Sequence, residues 1–324
     1  MRIVLCYPVE ARHVRQIQAT APDAEIVDAG QQRIPEEILT ADIFCGHAKE
    51  RPVPWDDVVR GGRLRWIQSS AAGLDHCLAP SVVDSNITVT SASGVLADQV
   101  AEQTMALLTG LLRGLPTFFR AQQQREFIRR PTRDLTGAVI GIIGFGGNGR
   151  RLAEVLRPYK GRIIATDKFP IDQPETVDEL WHSDRNEELL PAVDVLILAA
   201  PLTDETRGML NRRTLALLKP SAAIVNVARG KLIVERDLVE ALESGKLAGF
   251  ATDVTEIEPL PAESRLWDMP NVILTPHVGG QSRRRIDDMT DFFCENLSRY
   301  LSGRPLLNLV DKRLGYPSWT PRTS

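Results

Sequence analysis

The 324 residues exceed what one ordinary hydrophobic core organises and fit two domains of roughly 150 residues each. Lys and Arg number 39 against 42 Asp and Glu, and the resulting net charge of −3 makes a polyanion such as nucleic acid a poor default partner. The four cysteines, Cys6, Cys45, Cys77 and Cys294, form no CxxC pair, so neither a zinc site nor a disulfide framework is expected, and no metal ligands are assigned. Residues 1 to about 92 alternate short apolar runs ("RIVLCY", "AEIVD", "ADIFCG", "LRWIQ", "ITVTS") with helix-like stretches such as "IPEEILTA", the pattern of a parallel α/β sheet. From Leu96 to about Leu112 the apolar spacing predicts a long helix leading out of this unit. The basic stretch from Arg113 to Arg133, with Arg120, Arg125, Arg129 and Arg130, reads as a solvated helix face.

A second series of strands follows: "VIGIIG", "RIIATD", "VDVLILAA", "AAIVNVA", "LAGFATDV" and "NVILTPH". Runs this apolar belong in a parallel sheet covered on both faces. Beyond His277, Ile286, Met289, Phe293, Leu297 and Tyr300 fall at near-helical spacing and predict a terminal helix that carries the chain back to the first domain. No apolar run approaches the roughly 18 residues of a membrane span, and the N-terminus turns polar too early for a signal peptide. The expected address is the cytoplasm, with no membrane partner.

Gly144, Gly146 and Gly149 form GxGxxG between the first of these later strands and a helix read from Arg150 onward. The next strand ends in Asp167, 18 residues past the last glycine. In a strand–turn–helix of this kind the first glycine permits the tight turn, the second lets backbone approach a pyrophosphate, and the third lets helix pack on strand. Asp167 would accept from the adenosine ribose diol and repel a 2′-phosphate, which favours NAD over NADP; the neighbouring Lys168 argues the other way.

Three later stretches supply chemistry: "NVARG" with Arg229, "DVTEIEPL" with Glu258 and "TPHVGG" with His277. All follow strands of the second sheet, and in open parallel sheets ligands bind beyond the carboxyl ends of the strands. An arginine can grip a carboxylate bidentately and polarise an adjacent carbonyl, while a histidine delivers a proton. A glutamate beside the histidine favours imidazolium and fixes its orientation.

These residues resemble the D-isomer-specific 2-hydroxyacid dehydrogenases, which include glyoxylate, hydroxypyruvate and phosphoglycerate-oxidising members. The resemblance runs through "GLD" at Gly73 to Asp75, "VAE" at Val100 to Glu102, the glycine loop, "PLTDETRGML" at Pro201, the three stretches above, their 29-residue spacing from Arg229 to Glu258, and the closing "ENLSRYLSGRPLLNLVDK". It implies an α/β, two-lobed fold, with a Rossmann-type nucleotide-binding domain (98–281) inserted in a flavodoxin-like substrate-binding domain (1–97 and 282–324). The active site would lie in the interdomain cleft.

The same resemblance implies Arg229 as the substrate-binding and activating residue, Glu258 as the partner of His277, and His277 as general acid or base. It implies backbone N–H groups of Ala72, Gly73 and Leu74 on the substrate carboxylate. The cofactor contacts it implies are Gly144, Gly146, Gly147 and Gly149, to which Asn148, this chain's own departure, adds an expected phosphate contact; Ala200, Pro201 and Thr206 along the adenosine and pyrophosphate; Val227, Asp253, His277 and Gly279 around the nicotinamide; and Ala228. Asp253 is the implied carboxamide acceptor.

The chain departs from the family pattern at Leu96, where many members carry Asn, at Asn148, where a hydrophobic residue is usual, and at Ala200, where His is frequent. His47 in "CGHAKE" stands where the family reads the substrate side chain. The end at Ser324 leaves no room for the regulatory domain of many phosphoglycerate dehydrogenases, favouring a small 2-oxo acid such as glyoxylate or hydroxypyruvate. A homodimer is implied, through the helix from Leu96 and "RGLPTFFRAQQQREF", with Phe127 where tryptophan is frequent. The alternatives are an NADH-sensing corepressor-like binding protein and a phosphite-type dehydrogenase; Glu258 argues against a formate dehydrogenase, where glutamine typically partners the histidine.

Overall fold

The computed structural model describes residues 1–317. The last seven positions of the expected 282–324 segment lie outside the described residues. The chain divides into two compact units, Met1–Leu96 with the segment starting at Ser282, and Ala97–Gln281.

The first unit begins with β1 (Arg2–Cys6), α1 (Ala11–Thr20), β2 (Glu25–Asp28), α2 (Ile34–Glu37), β3 (Ile43–Gly46), α3 (Trp55–Gly61), β4 (Trp66–Ser69), α4 (Pro80–Asp84) and β5 (Thr88–Thr90). The five strands pair in parallel in the order β2-β1-β3-β4-β5, the flavodoxin-like arrangement. Strand residues alternate between two buried clusters: Val4, Phe44 and Ile67 face one side, Ile3, Ile43 and Trp66 the other. Both faces are therefore covered at the centre of the sheet, which is why β1 (RIVLC) and β3 (IFCG) read as nearly unbroken apolar runs, while the edge strand β2 (EIVD) is partly exposed.

The second unit starts with α5 (Ala97–Leu112) and α6 (Leu115–Gln123), then β6 (Val139–Ile143), α7 (Gly147–Leu156), β7 (Arg162–Asp167), β8 (Glu179–His182), α8 (Asn186–Leu189), β9 (Val195–Leu198), α9 (Arg212–Leu215), β10 (Ala223–Asn226), α10 (Glu235–Glu243), β11 (Gly249–Thr252) and β12 (Val272–Leu274). The sheet order is β12-β11-β10-β9-β6-β7-β8. This is the Rossmann order with one strand added beyond the sixth, and the order reverses between β6 and β9. Val195 and Ile197 of β9 enter one buried cluster, Leu196 and Leu198 the other. The chain then returns to the first unit through α11 (Arg285–Leu301), whose Phe293 and Leu297 join Trp66 and Ile17 in one cluster. There Trp66 stacks on Tyr300 with ring centroids 5.1 Å apart. A short pair, β13 (Val310–Asp311) and β14 (Tyr316–Pro317), follows.

Three local readings are corrected. The helix after the glycine loop opens at Gly147, not Arg150. The basic stretch is no continuous solvated helix: α6 stops at Gln123, the Arg120 guanidinium donates to the carbonyls of Met269 and Pro270, and Arg133 is half-buried. Strand β8 was absent from the sequence reading because its residues, "ELWH", form a half-exposed edge with no apolar run. Among the described residues no helix is long and apolar enough to cross a membrane.

Candidate active site at the carboxyl edge of the second sheet

The parallel register lines up Thr166, Ile143, Leu198, Asn226, Thr252 and Leu274 as one row near the carboxyl edge of the sheet. The glycine turn, Asp167, Ala200, Arg229, Asp253 and His277 all leave from just beyond that row. Shared register, not sequence proximity, gathers them.

The turn after β6 is shaped by three glycines with different constraints. Gly144 has φ +95°, and a Cβ there would stand 2.4 Å from the backbone nitrogen of Ala200. A Cβ on Gly149 would stand 2.1 Å from the carbonyl oxygen of Gly144. At Gly146 a Cβ would meet nothing within 4 Å. Two glycines are thus demanded by the protein itself, while the third borders open space at the start of α7, whose N-cap residue Gly146 provides no side-chain cap. Gly147 and Asn148 form the first turn of that helix, where amide N–H groups lack intrahelical partners. An open, uncapped helix N-terminus over a backbone cradle fits a dinucleotide pyrophosphate.

Asp167 closes β7. Its Oδ2 accepts from the Phe145 amide (2.7 Å) and its Oδ1 from the Phe169 amide (2.9 Å), so the turn itself orients the carboxylate and leaves lone pairs for a ribose diol. Arg150 lies over the Phe145 ring and donates to the Ile171 carbonyl at 3.0 Å. Partial burial lowers its pKa from the usual guanidinium value, with Asp167 and Asp172 opposing that effect. Ala200 is buried behind the glycine turn and Pro201 is exposed. Thr206 holds its own loop together: its hydroxyl donates to the Pro201 carbonyl (2.7 Å) and accepts from the Thr203 amide (2.8 Å).

Arg229 sits three residues past β10 in a turn organised by Asn226. The buried Asn226 amide accepts from the Ala228 N–H and donates to the Arg229 carbonyl at 2.9 Å. Gly230 lets this turn press onto the loop after β11, since a Cβ there would overlap the Thr255 carbonyl at 1.9 Å. Val227 is half-buried and Ala228 buried in the same turn. The motif "NVARG" thus holds, besides its arginine, two residues that build the turn: Asn226, which bonds across it, and Gly230, which admits the neighbouring loop.

Asp253 is 3% exposed, and its carboxylate is the anchor of the His277 turn. Oδ1 accepts from the Thr275 hydroxyl (2.7 Å) and the Val278 amide (2.9 Å), Oδ2 from the Gly279 amide (2.7 Å), while its carbonyl accepts from the His277 amide (2.8 Å). Gln103 on α5 donates to the Thr275 hydroxyl at 2.8 Å, a link 172 residues long that no local sequence signal announces. His277 adopts φ +55°, a left-handed conformation, and the Asp253 bonds hold it there. Its Nδ1 lies 2.8 Å from Glu258 Oε2, and Glu258 Oε1 accepts from the Thr255 amide at 3.1 Å. Glu258 precedes Pro259 through a cis peptide bond. The carboxylate can only accept, so Nδ1 carries the hydrogen and Nε2 is left for a substrate. The imidazole is half exposed, and among the described residues Nε2 has no hydrogen-bond partner.

In the first unit, the loop after β4 carries Ala72, Gly73 and Leu74. Among the described residues their amide N–H groups have no acceptor, while Leu74 is buried and its carbonyl accepts from the amides of Cys77 and Leu78. In the same unit the rings of His47 and His76 stack with centroids 3.8 Å apart.

Residues 105–279 match the family model described as the D-isomer specific 2-hydroxyacid dehydrogenase, NAD binding domain. The chain is 34% identical over 303 residues to an uncharacterized protein from Corynebacterium melassecola, covering 90% of this chain and 95% of that protein. It is 31% identical over 294 residues to the glyoxylate reductase of Pyrococcus furiosus, covering 88% of this chain and 86% of that enzyme. Among solved structures, a D-isomer specific 2-hydroxyacid dehydrogenase from Xanthobacter autotrophicus Py2, in complex with NADPH and MES, superposes with a TM-score of 0.83 at 28% identity over 97% of this chain and 99% of that one.

Proposed function

The chain belongs to the D-isomer specific 2-hydroxyacid dehydrogenase family, and we propose that it interconverts a small 2-oxo acid and its D-2-hydroxy acid with NAD(H). The observation that carries this reading is the His277–Glu258 pair, 2.8 Å apart, on the same sheet edge as Arg229 and the glycine turn.

When bound, the dinucleotide supplies or accepts a hydride. Arg229 grips the substrate carboxylate and polarises the neighbouring carbonyl. His277, as imidazolium, gives its Nε2 proton to the carbonyl oxygen as the carbonyl carbon is reduced, and in oxidation neutral His277 takes the hydroxyl proton back. Glu258 holds the Nδ1 hydrogen in place and so turns Nε2 toward the substrate. Asp253 acts as the clamp of the His277 turn, and its Oδ2, which among the described residues accepts only the Gly279 amide, keeps a lone pair for the nicotinamide carboxamide. The Ala72–Leu74 amides, which lack protein acceptors, support a carboxylate-binding role for that loop.

Asp167 supports NAD over NADP. Similarity to glyoxylate reductases supports glyoxylate or hydroxypyruvate as the substrate class. Homodimer formation through the nucleotide-binding unit is supported by Phe127, 91% exposed, and Phe119, 57% exposed, near α6.

The test is NADH and NADPH oxidation against glyoxylate, hydroxypyruvate, pyruvate, phenylpyruvate and 2-oxoisocaproate. Turnover with one of them in NADH supports the reading. Silence across the panel with NADH bound favours the sensor or the phosphite-type reading instead.

A further inference from the structure

Lys168 directly follows Asp167, the residue that faces the ribose in the reading above, and it is the cation a 2′-phosphate would first meet. Its Nζ is not available in that role: it donates to both carboxylate oxygens of Glu205, at 2.6 and 2.7 Å. Glu205 lies in the loop after β9, and Lys168 in the loop after β7; these two strands flank β6 on either side. The ion pair therefore bridges the two loops that border the glycine turn. Arg150, in the helix after the glycine turn, lies on the Phe145 ring and the Ile171 carbonyl.

We propose that Glu205 is a cofactor-selectivity residue, which disfavours a 2′-phosphorylated dinucleotide by holding Lys168 in an ion pair across the adenosine end of the crevice. Holding Lys168 in the ion pair removes a donor that would pair with a phosphate, and leaves the Asp167 carboxylate without that neighbouring cation to offset it. Both partners are substantially exposed, so the pair contributes little to folding stability and can be altered without unfolding the unit.

The inference rests on the assignment of the glycine turn and Asp167 to the dinucleotide. Its test is the dissociation constant of NADH and of NADPH, read from nucleotide fluorescence on the protein without substrate, for the unaltered chain, Glu205→Gln, Lys168→Met and the double variant. Glu205→Gln is expected to tighten NADPH by about three- to tenfold while NADH changes less than twofold, as for an exposed charge pair. The gain should vanish in the double variant, because it requires the released Lys168. A parallel change for both nucleotides, or a gain that survives Lys168→Met, overturns the proposal. The NAD preference itself is read separately, from the unaltered chain: if that chain prefers NADPH, the NAD reading fails, while a selective gain in Glu205→Gln still supports the role of Glu205.

Discussion

Nδ1 of His277 stands 2.8 Å from Oε2 of Glu258 although 19 residues separate them, and His277 is held at φ +55° to place it there. A left-handed conformation at a non-glycine residue persists only when its surroundings impose it. Here they do: Asp253 binds the amides of His277, Val278 and Gly279. The geometry gives the imidazole one committed nitrogen and one open one.

Replacing His277 by Ala should lower the rate of 2-oxo acid reduction by roughly two to four orders of magnitude, the usual worth of a general acid. NADH affinity should stay near that of the unaltered chain. A variant that turns over normally once saturated with NADH would remove His277 from the proton transfer.

In Glu258→Gln the imidazole loses the carboxylate that fixes its Nδ1 hydrogen and its orientation, so kcat for reduction should fall by about tenfold or more while NADH affinity is retained. A kcat equal to that of the unaltered chain would break the functional pairing.

Gly144 and Gly146 should respond differently to Ala. At Gly144 the positive φ and the overlap with Ala200 predict a loss of about 2 kcal/mol or more in urea unfolding. Gly146→Ala should unfold at the same midpoint, since its Cβ meets no protein atom, yet bind NADH about tenfold or more weakly. Equal NADH affinity in a folded Gly146→Ala protein would show that the pyrophosphate does not approach there.

The Asp253 carboxylate accepts backbone amides on both oxygens, and an Asn cannot: one of its terminal atoms is an NH2 that would face an N–H. Asp253→Asn should therefore lose about 1–3 kcal/mol of stability, together with a fall in kcat that reflects a loosened His277 turn. Unchanged unfolding and unchanged kcat would contradict the clamp.

Phe127 is 91% exposed, unusual for an aromatic side chain, and Phe127→Ser should shift the protein from dimer to monomer in sedimentation velocity. A monomeric unaltered chain, or a dimer untouched by the substitution, would place the contact elsewhere.

The strands were legible wherever the sheet is covered on both faces, because burial on both sides leaves a run such as "VLIL" with no polar position. The edge strand Glu179–His182 carries no such signal: its residues are half-exposed and, unlike the edge strand Glu25–Asp28 with its Ile-Val pair, it has no two adjacent β-branched residues. The glycine pattern was equally legible, since Gly144 and Gly149 answer to backbone contacts that admit no Cβ. The sequence by itself also marked Arg229, Glu258 and His277 as groups of the right chemistry following strands. Tertiary structure alone decided what each group touches. Register across β10, β11 and β12 brings Asp253 beneath the His277 turn and ties that turn to Gln103 on α5. Register across β7, β6 and β9 likewise sets Lys168 against Glu205. Such pairings depend on which strands become neighbours, a property of the whole sheet that no local stretch of chain encodes.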